Sequence, residues 1–310
     1  MITLWIVVFV VSLLLLVKSA DWLLESSERI GLSVGISPFV MGVTVIAFGT
    51  SFPELISSFV AVSQGVTEIV TANAVGSNIA NILLVVGLSA IVGKKLVVTK
   101  NLIDLDLPLI ALGTTIFAFL AWDGQVTLLE SVVLLVTYLV YLGFTILYKD
   151  EHVEKPVKDR PKISTKDIVI LFIGIIGLGV GAKYLIDAVI MLSKMFDIAP
   201  GIISVTAVAF GTSLPELLVS GKAAMQGKSE VALGNIFGSN IFNLLVVVGL
   251  PGLFATLNFD AKTLSIAMPM LIISTVLFII SGISRKIHIQ EGVLYVILYL
   301  LFIAKLFEIL

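Results

Sequence analysis

The 310-residue chain has no cysteine, two histidines and only 13% charged residues, against about 25% in an ordinary soluble domain. Without cysteine, disulfides and thiolate metal sites are excluded, although the compartment is not thereby identified. His152 falls in a charged connector and His288 near the end of an apolar run, so neither is well placed for catalysis. No enzymatic activity and no cofactor are expected. A formal net charge of -2 says little for a chain mostly in lipid, and no nucleic-acid partner is expected.

What replaces the charge is apolar: 58% of residues are hydrophobic and the mean hydropathy is +1.15. Runs able to cross a hydrocarbon core, roughly 17 to 25 residues each, fall at about 2-24, 36-64, 69-92, 104-121, 126-148, 167-192, 201-226, 229-254, 264-283 and 290-308. The chain therefore reads as an all-α membrane protein of ten transmembrane helices, with the bilayer as its main partner. The first run lacks a basic leader and a small-residue cleavage site, so it is expected to stay as a helix rather than leave as a signal peptide.

Basic residues near span ends stay on the cytoplasmic side. Alternate loops hold Arg29; Lys94, Lys95 and Lys100; six residues between Lys149 and Lys166; Lys222 and Lys228; and Arg285 and Lys286. The opposite set holds only Lys194, Lys262 and Lys305. In a cell membrane, both termini are then outside and the 149-166 loop is cytoplasmic. That loop mixes both signs with two prolines and reads as a solvated linker between halves.

A constant offset of 162 residues superimposes two stretches without a gap. GVTVIAFGTSFPELISSFVAV (42-62) matches SVTAVAFGTSLPELLVSGKAA (204-224) at 12 of 21 positions, and NAVGSNIANILLVVGL (73-88) matches NIFGSNIFNLLVVVGL (235-250) at 11 of 16. The chain is a duplication: residues 1-148 form one five-helix repeat and 167-310 the other. An odd number of spans per repeat sends the second half into the bilayer from the opposite side. Such inverted repeats are a common plan of secondary transporters, whose site is exposed to either side in turn.

Within GTSFPE, Pro53 has no N–H for the carbonyl of Gly49, so the helix must break or bend. Pro215 does the same to Gly211. Carbonyls left unpaired near 47-50 and 209-212 are tolerated in a membrane only inside protein or beside a wet cavity. The i, i+4 spacing puts Thr50 with Glu54, Thr212 with Glu216, Ser77 with Asn81 and Ser239 with Asn243 on common helix faces. Every one of these groups is an oxygen donor, the ligand type that Ca²⁺ takes six to eight of.

Each element has a plainer reading. Gly-Thr-Ser inside a membrane can simply permit close helix packing, a proline can be a mere kink, and an asparagine can bind two helices together. Two glutamates at repeat-equivalent positions are harder to dismiss, because each costs roughly 3 kcal/mol or more at the centre of a span. Gly76 and Gly238 read as packing residues beside the site. Asp21, Glu25 and Glu28 read as a solvated helix end, and Lys183 with Asp187 as a self-neutralising helical pair.

The paired GTSxPE and GSNIxN motifs resemble the alpha-1 (42-88) and alpha-2 (204-250) repeats of the cation/calcium exchanger superfamily, in its prokaryotic sodium/calcium exchanger branch. The resemblance implies an antiporter that binds Ca²⁺ between Glu54 and Glu216, supported by backbone carbonyls of Ala47, Thr50, Ala209 and Thr212. It implies Na⁺ positions completed by the side chains of Thr50, Ser77, Thr212 and Ser239. By the same resemblance Ser51 and Ser213 sit at the helix breaks, and Asn81 and Asn243 line the centre. The chain departs from some members in carrying Asn243 where they carry Asp, which leaves two formal charges in the centre and opens H⁺ as an alternative coupling ion. No obligate protein partner is evident, and the chain is expected to work as a monomer. A cation channel is disfavoured by the inverted repeat, and an intramembrane hydrolase by the lack of His or Cys near the serines.

Overall fold

The structure is a computed structural model that describes residues 2–34, 47–99, 103, 106–148 and 163–309. Residues 36–46 of the second apolar run, which include the start of the first motif, lie outside the described residues. So do Lys100, His152 and the expected linker as far as residue 162.

Apolar sequence folds as helix in lipid because a helix satisfies its own backbone hydrogen bonds. The helices in chain order are α1 (Ile2–Val34), α2 (Ala47–Thr50), α3 (Phe52–Ser63), α4 (Glu68–Val92), α5 (Leu107–Leu120) and α6 (Leu128–Tyr148). After the linker come α7 (Thr165–Phe196), α8 (Pro200–Thr212), α9 (Leu214–Met225), α10 (Ser229–Gly252), α11 (Thr263–Ile283) and α12 (Ile289–Leu306). Among the described residues seven are long and apolar enough to cross a membrane, or eight if α8 and α9 form one span bent by 42°. Phe52–Ser63 and Leu107–Asp123 are shorter apolar helices. The protein is thus a multi-pass, all-helical membrane protein.

Two short antiparallel ribbons join the halves. Strand β1 (Lys95–Val97) pairs with β4 (Lys286–His288), and β2 (Gln125–Val126) with β3 (Leu257–Asn258). In the first ribbon Leu96 faces Ile287; in the second Gln125 faces Asn258. Adding 162 to Leu96 reaches Asn258, and adding it to Gln125 reaches Ile287, so the offset exchanges one ribbon for the other. Strands of two or three residues are too short to show an alternating pattern, which is why the sequence does not announce them. The turns that follow α3 and α9 are matched as well: Gly65 and Gly227 take φ of +72° and +73°, a region that favours glycine.

Helices α4 and α10 are the centre of the molecule, with 83% and 89% of their apolar windows buried, against 22% for α1 and 17% for α6. Their small residues permit this. A Cβ on Gly76 would lie 2.4 Å from the carbonyl oxygen of Val205, so the backbones of α4 and α8 meet there with no room for a side chain. At the periphery α1 runs antiparallel to α7, with Gly177 against Ser19 and Gly181 against Leu16. At one end of this pair Arg29 meets Asp167 at 3.4 Å.

Candidate cation site

Both Gly-Thr-Ser-x-Pro-Glu segments break their helices. Pro53 and Pro215 occupy the opening turns of α3 and α9, where a missing N–H costs nothing. The preceding Ser51 and Ser213 leave helical geometry with ψ of 9° and 4°. Each break turns the following glutamate inward, and Glu54 and Glu216 are both completely buried.

The two carboxylates belong to one centre, since Ser51, three residues before Glu54, reaches Glu216. Ser51 of the first half donates to Glu216 Oε1 at 3.1 Å, with the Thr50 and Ser239 hydroxyls beside the same carboxylate. The Thr212 and Ser77 hydroxyls stand beside Glu54. Each glutamate is therefore faced by the serine of its own repeat and the threonine of the other. Among the described residues no Lys, Arg or His forms an ion pair with either carboxylate.

Asn81 and Asn243 are buried, and no amide atom of either finds a hydrogen-bond partner among the described residues. Both lie in π-helical turns, 80–86 and 243–247, a local widening often found at functional sites. Ala47 opens α2. The Ala209 carbonyl is already engaged, accepting the Ser213 N–H at 3.1 Å and the Thr212 hydroxyl at 3.5 Å. Ser213 is buried, and its hydroxyl has no partner among the described residues.

The motif reading passed over Asn73 and Asn235, a repeat-equivalent pair one turn before Ser77 and Ser239. Asn73 Oδ1 accepts from the Ser77 hydroxyl at 3.4 Å, and Asn235 Oδ1 from Thr50 at 3.5 Å. The same i, i+4 spacing that joins Ser77 to Asn81 would have found them. Outside this centre, Asp187 accepts from Gln64 at 2.9 Å, and Lys183 lies 5.4 Å from the Tyr184 ring.

Chemically, the cluster offers two carboxylates, hydroxyls, amide oxygens and the carbonyls at the breaks. Such a set suits a hard cation, Ca²⁺ or Na⁺, rather than a soft metal. Two buried carboxylates with no basic partner among the described residues favour positive charge between them whenever they are ionised, because unpaired charge inside a membrane is costly.

The family described as sodium/calcium exchanger protein matches residues 4–147 and 166–307. The chain belongs to the sodium/calcium exchanger family. Within it, this family member is 32% identical to sodium/calcium exchanger MaX1 of Methanosarcina acetivorans over the whole of both chains. It is 36% identical to a membrane protein of Methanocaldococcus jannaschii over 96% of each. Its fold superimposes on structures of the sodium-calcium exchanger NCX_Mj soaked with Na⁺ and Sr²⁺, with a TM-score of 0.70 and 36% identity over 98% of this chain and 99% of that one.

Proposed function

We propose that this chain exchanges Ca²⁺ for Na⁺ across the membrane by alternating access. The observation that carries the reading is the pair Glu54 and Glu216: fully buried, without a basic partner among the described residues, and ringed by hydroxyls from both repeats. Ca²⁺ would sit between the carboxylates. Na⁺ ions would use the same carboxylates with Thr50, Thr212, Ser77 and Ser239, so the two cargoes compete. Ser51, Ser213, Asn81, Asn243 and the carbonyls of Ala47 and Ala209 complete the proposed set. An unloaded site leaves two buried anions exposed to each other, which penalises reversal without cargo and couples the two fluxes. Membership in the sodium/calcium exchanger family and likeness to the named exchangers support this reading.

The proposed frame is ten spans in two inverted five-helix repeats, 1–148 and 167–310, joined by the linker 149–166. The exchange of the two ribbons under the 162-residue offset supports it. The cytoplasmic side would be that of the first ribbon, where Lys94, Lys95, Arg285, Lys286 and His288 are exposed. Flanking the second ribbon are Asp123 and Asp260, and this contrast in charge follows the positive-inside rule. Helices α1 and α7, long and peripheral, are proposed to slide as the gate of a functional monomer.

The deciding experiment is Ca²⁺ flux in sealed vesicles of purified protein, driven in turn by a Na⁺ gradient and by a pH gradient. Uptake driven by Na⁺ is expected. Uptake driven by the pH gradient alone would replace Na⁺ with H⁺ as the coupling ion, and conductance without coupling would make the chain a channel.

A further inference from the structure

The repeats agree in sequence but differ in their hydrogen bonds. In one half-site Thr50 donates to Asn235 Oδ1 at 3.5 Å, Asn235 Nδ2 donates to Ser220 Oγ at 3.0 Å, and Ser220 donates to the Ala232 carbonyl at 3.1 Å. Ser51 also crosses the repeat boundary to Glu216 at 3.1 Å. Subtracting or adding 162 turns these groups into Thr212, Asn73, Ser58, Ser213 and Glu54.

None of the corresponding bonds is made. Among the described residues Asn73 Nδ2, Ser58 Oγ and Ser213 Oγ have no hydrogen-bond partner, so Ser213 does not reach Glu54, and the Thr212 hydroxyl lies 3.5 Å from the Ala209 carbonyl of its own helix rather than on Asn73. All these groups are buried. The same residues are present on both sides, so composition does not account for the difference; conformation does.

We propose that Asn235–Ser220 and Asn73–Ser58 are alternating positioning pairs: this structure holds the first made and the second parted, and reversal of the site exchanges them. In the made half-site the Thr50 hydroxyl is held between Asn235 Oδ1 at 3.5 Å and Ser239 Oγ at 3.2 Å, which fixes its place beside the site. The parted half-site has buried polar groups that regain partners only when Thr212 and Ser213 move onto α3 and α4. Because the two states trade identical sets of bonds, neither is favoured by much, as a carrier that must visit both requires. Ser51 would then hold Glu216 across the repeat boundary in one state and Ser213 would hold Glu54 in the other. The inference rests on the alternating-access reading for its two states, but not on which ions are carried.

The test uses the absence of native cysteine. Ala61→Cys and Ala223→Cys, a repeat-equivalent pair one turn beyond Ser58 and Ser220, report opening along α3 and α9 by their reactivity toward a membrane-impermeant maleimide in detergent. Losing one neutral hydrogen bond should change the ratio of the two reactivities about two- to tenfold. Ser220→Ala and Asn235→Ala should move it one way, Ser58→Ala and Asn73→Ala the other, and Ser58→Ala with Ser220→Ala should restore the parent ratio. The serine variants delete one oxygen each and keep the test available if an asparagine variant misfolds. In vesicles, the apparent Ca²⁺ KM measured at the two faces should shift in opposite senses in each variant. Ratios that move the same way in both pairs, or that do not move, overturn the proposal. A parent without Na⁺-driven Ca²⁺ flux overturns the exchange reading, and the labelling ratio then decides this one alone.

Discussion

Gly76 is held so tightly against Val205 that a Cβ at position 76 would lie 2.4 Å from the Val205 carbonyl oxygen and 2.8 Å from Ala209 Cβ. Backbone cannot step aside as the end of a flexible side chain can. Gly76→Ala should therefore push α4 from α8 and destabilise the protein by about 1–3 kcal/mol or more. Gly234→Ala, whose Cβ would meet nothing within 4 Å, should fold like the parent. Thermal unfolding of both variants in detergent, followed by size-exclusion chromatography, checks this; equal melting temperatures would show the approach is not tight.

Glu54→Gln and Glu216→Gln keep shape and burial but each remove one of the two anions. Breaking a buried charge interaction costs about 3–5 kcal/mol, so Ca²⁺ affinity should fall a hundredfold or more in either variant while the protein remains folded. Calorimetric titration with Ca²⁺ measures it. Parent-like binding in either variant would remove that glutamate from the site.

Thr50→Val and Thr212→Val remove hydroxyls that face Glu216 and Glu54 while keeping their carbonyls. Activation of Ca²⁺ flux by Na⁺ should weaken more than Ca²⁺ binding does. A loss of equal size for both ions would show that the hydroxyls do not divide the cargoes in this way.

Beyond the end of α12, Lys262 meets the Glu308 carboxylate at 2.9 Å. That hydrogen bond and charge, with Lys305 adding to them, hold the carboxyl below the usual range. A lowered pKa adds stability above the ordinary carboxylate value of about 4.3 and loses it as pH falls through the folded value. The pair is exposed, so the effect should be small: Lys262→Met should lower the melting temperature slightly at pH 7 and leave it unchanged in acid below the folded value. The same loss at both pH values would mean Lys262 acts through packing rather than charge.

Much of this protein is determined locally and can be read along the chain. Apolar runs specify helices because lipid offers no other hydrogen-bond partner. The prolines at 53 and 215 fit an opening turn but not a helix interior, so each marks a break before it, and the 162-residue offset is visible without coordinates. The inward glutamates follow from the same logic, since an exposed carboxylate in hydrocarbon would be too costly. Other features depended on residues far apart. The three-residue ribbon exists only because Lys95–Val97 comes beside Lys286–His288, far along the chain. Asn73 and Asn235 look alike in sequence, yet one amide nitrogen is bonded and the other is not. Sequence symmetry makes the two half-sites equivalent in what they can bind. Tertiary packing decides which of their hydrogen bonds are made, because each joins residues of different helices.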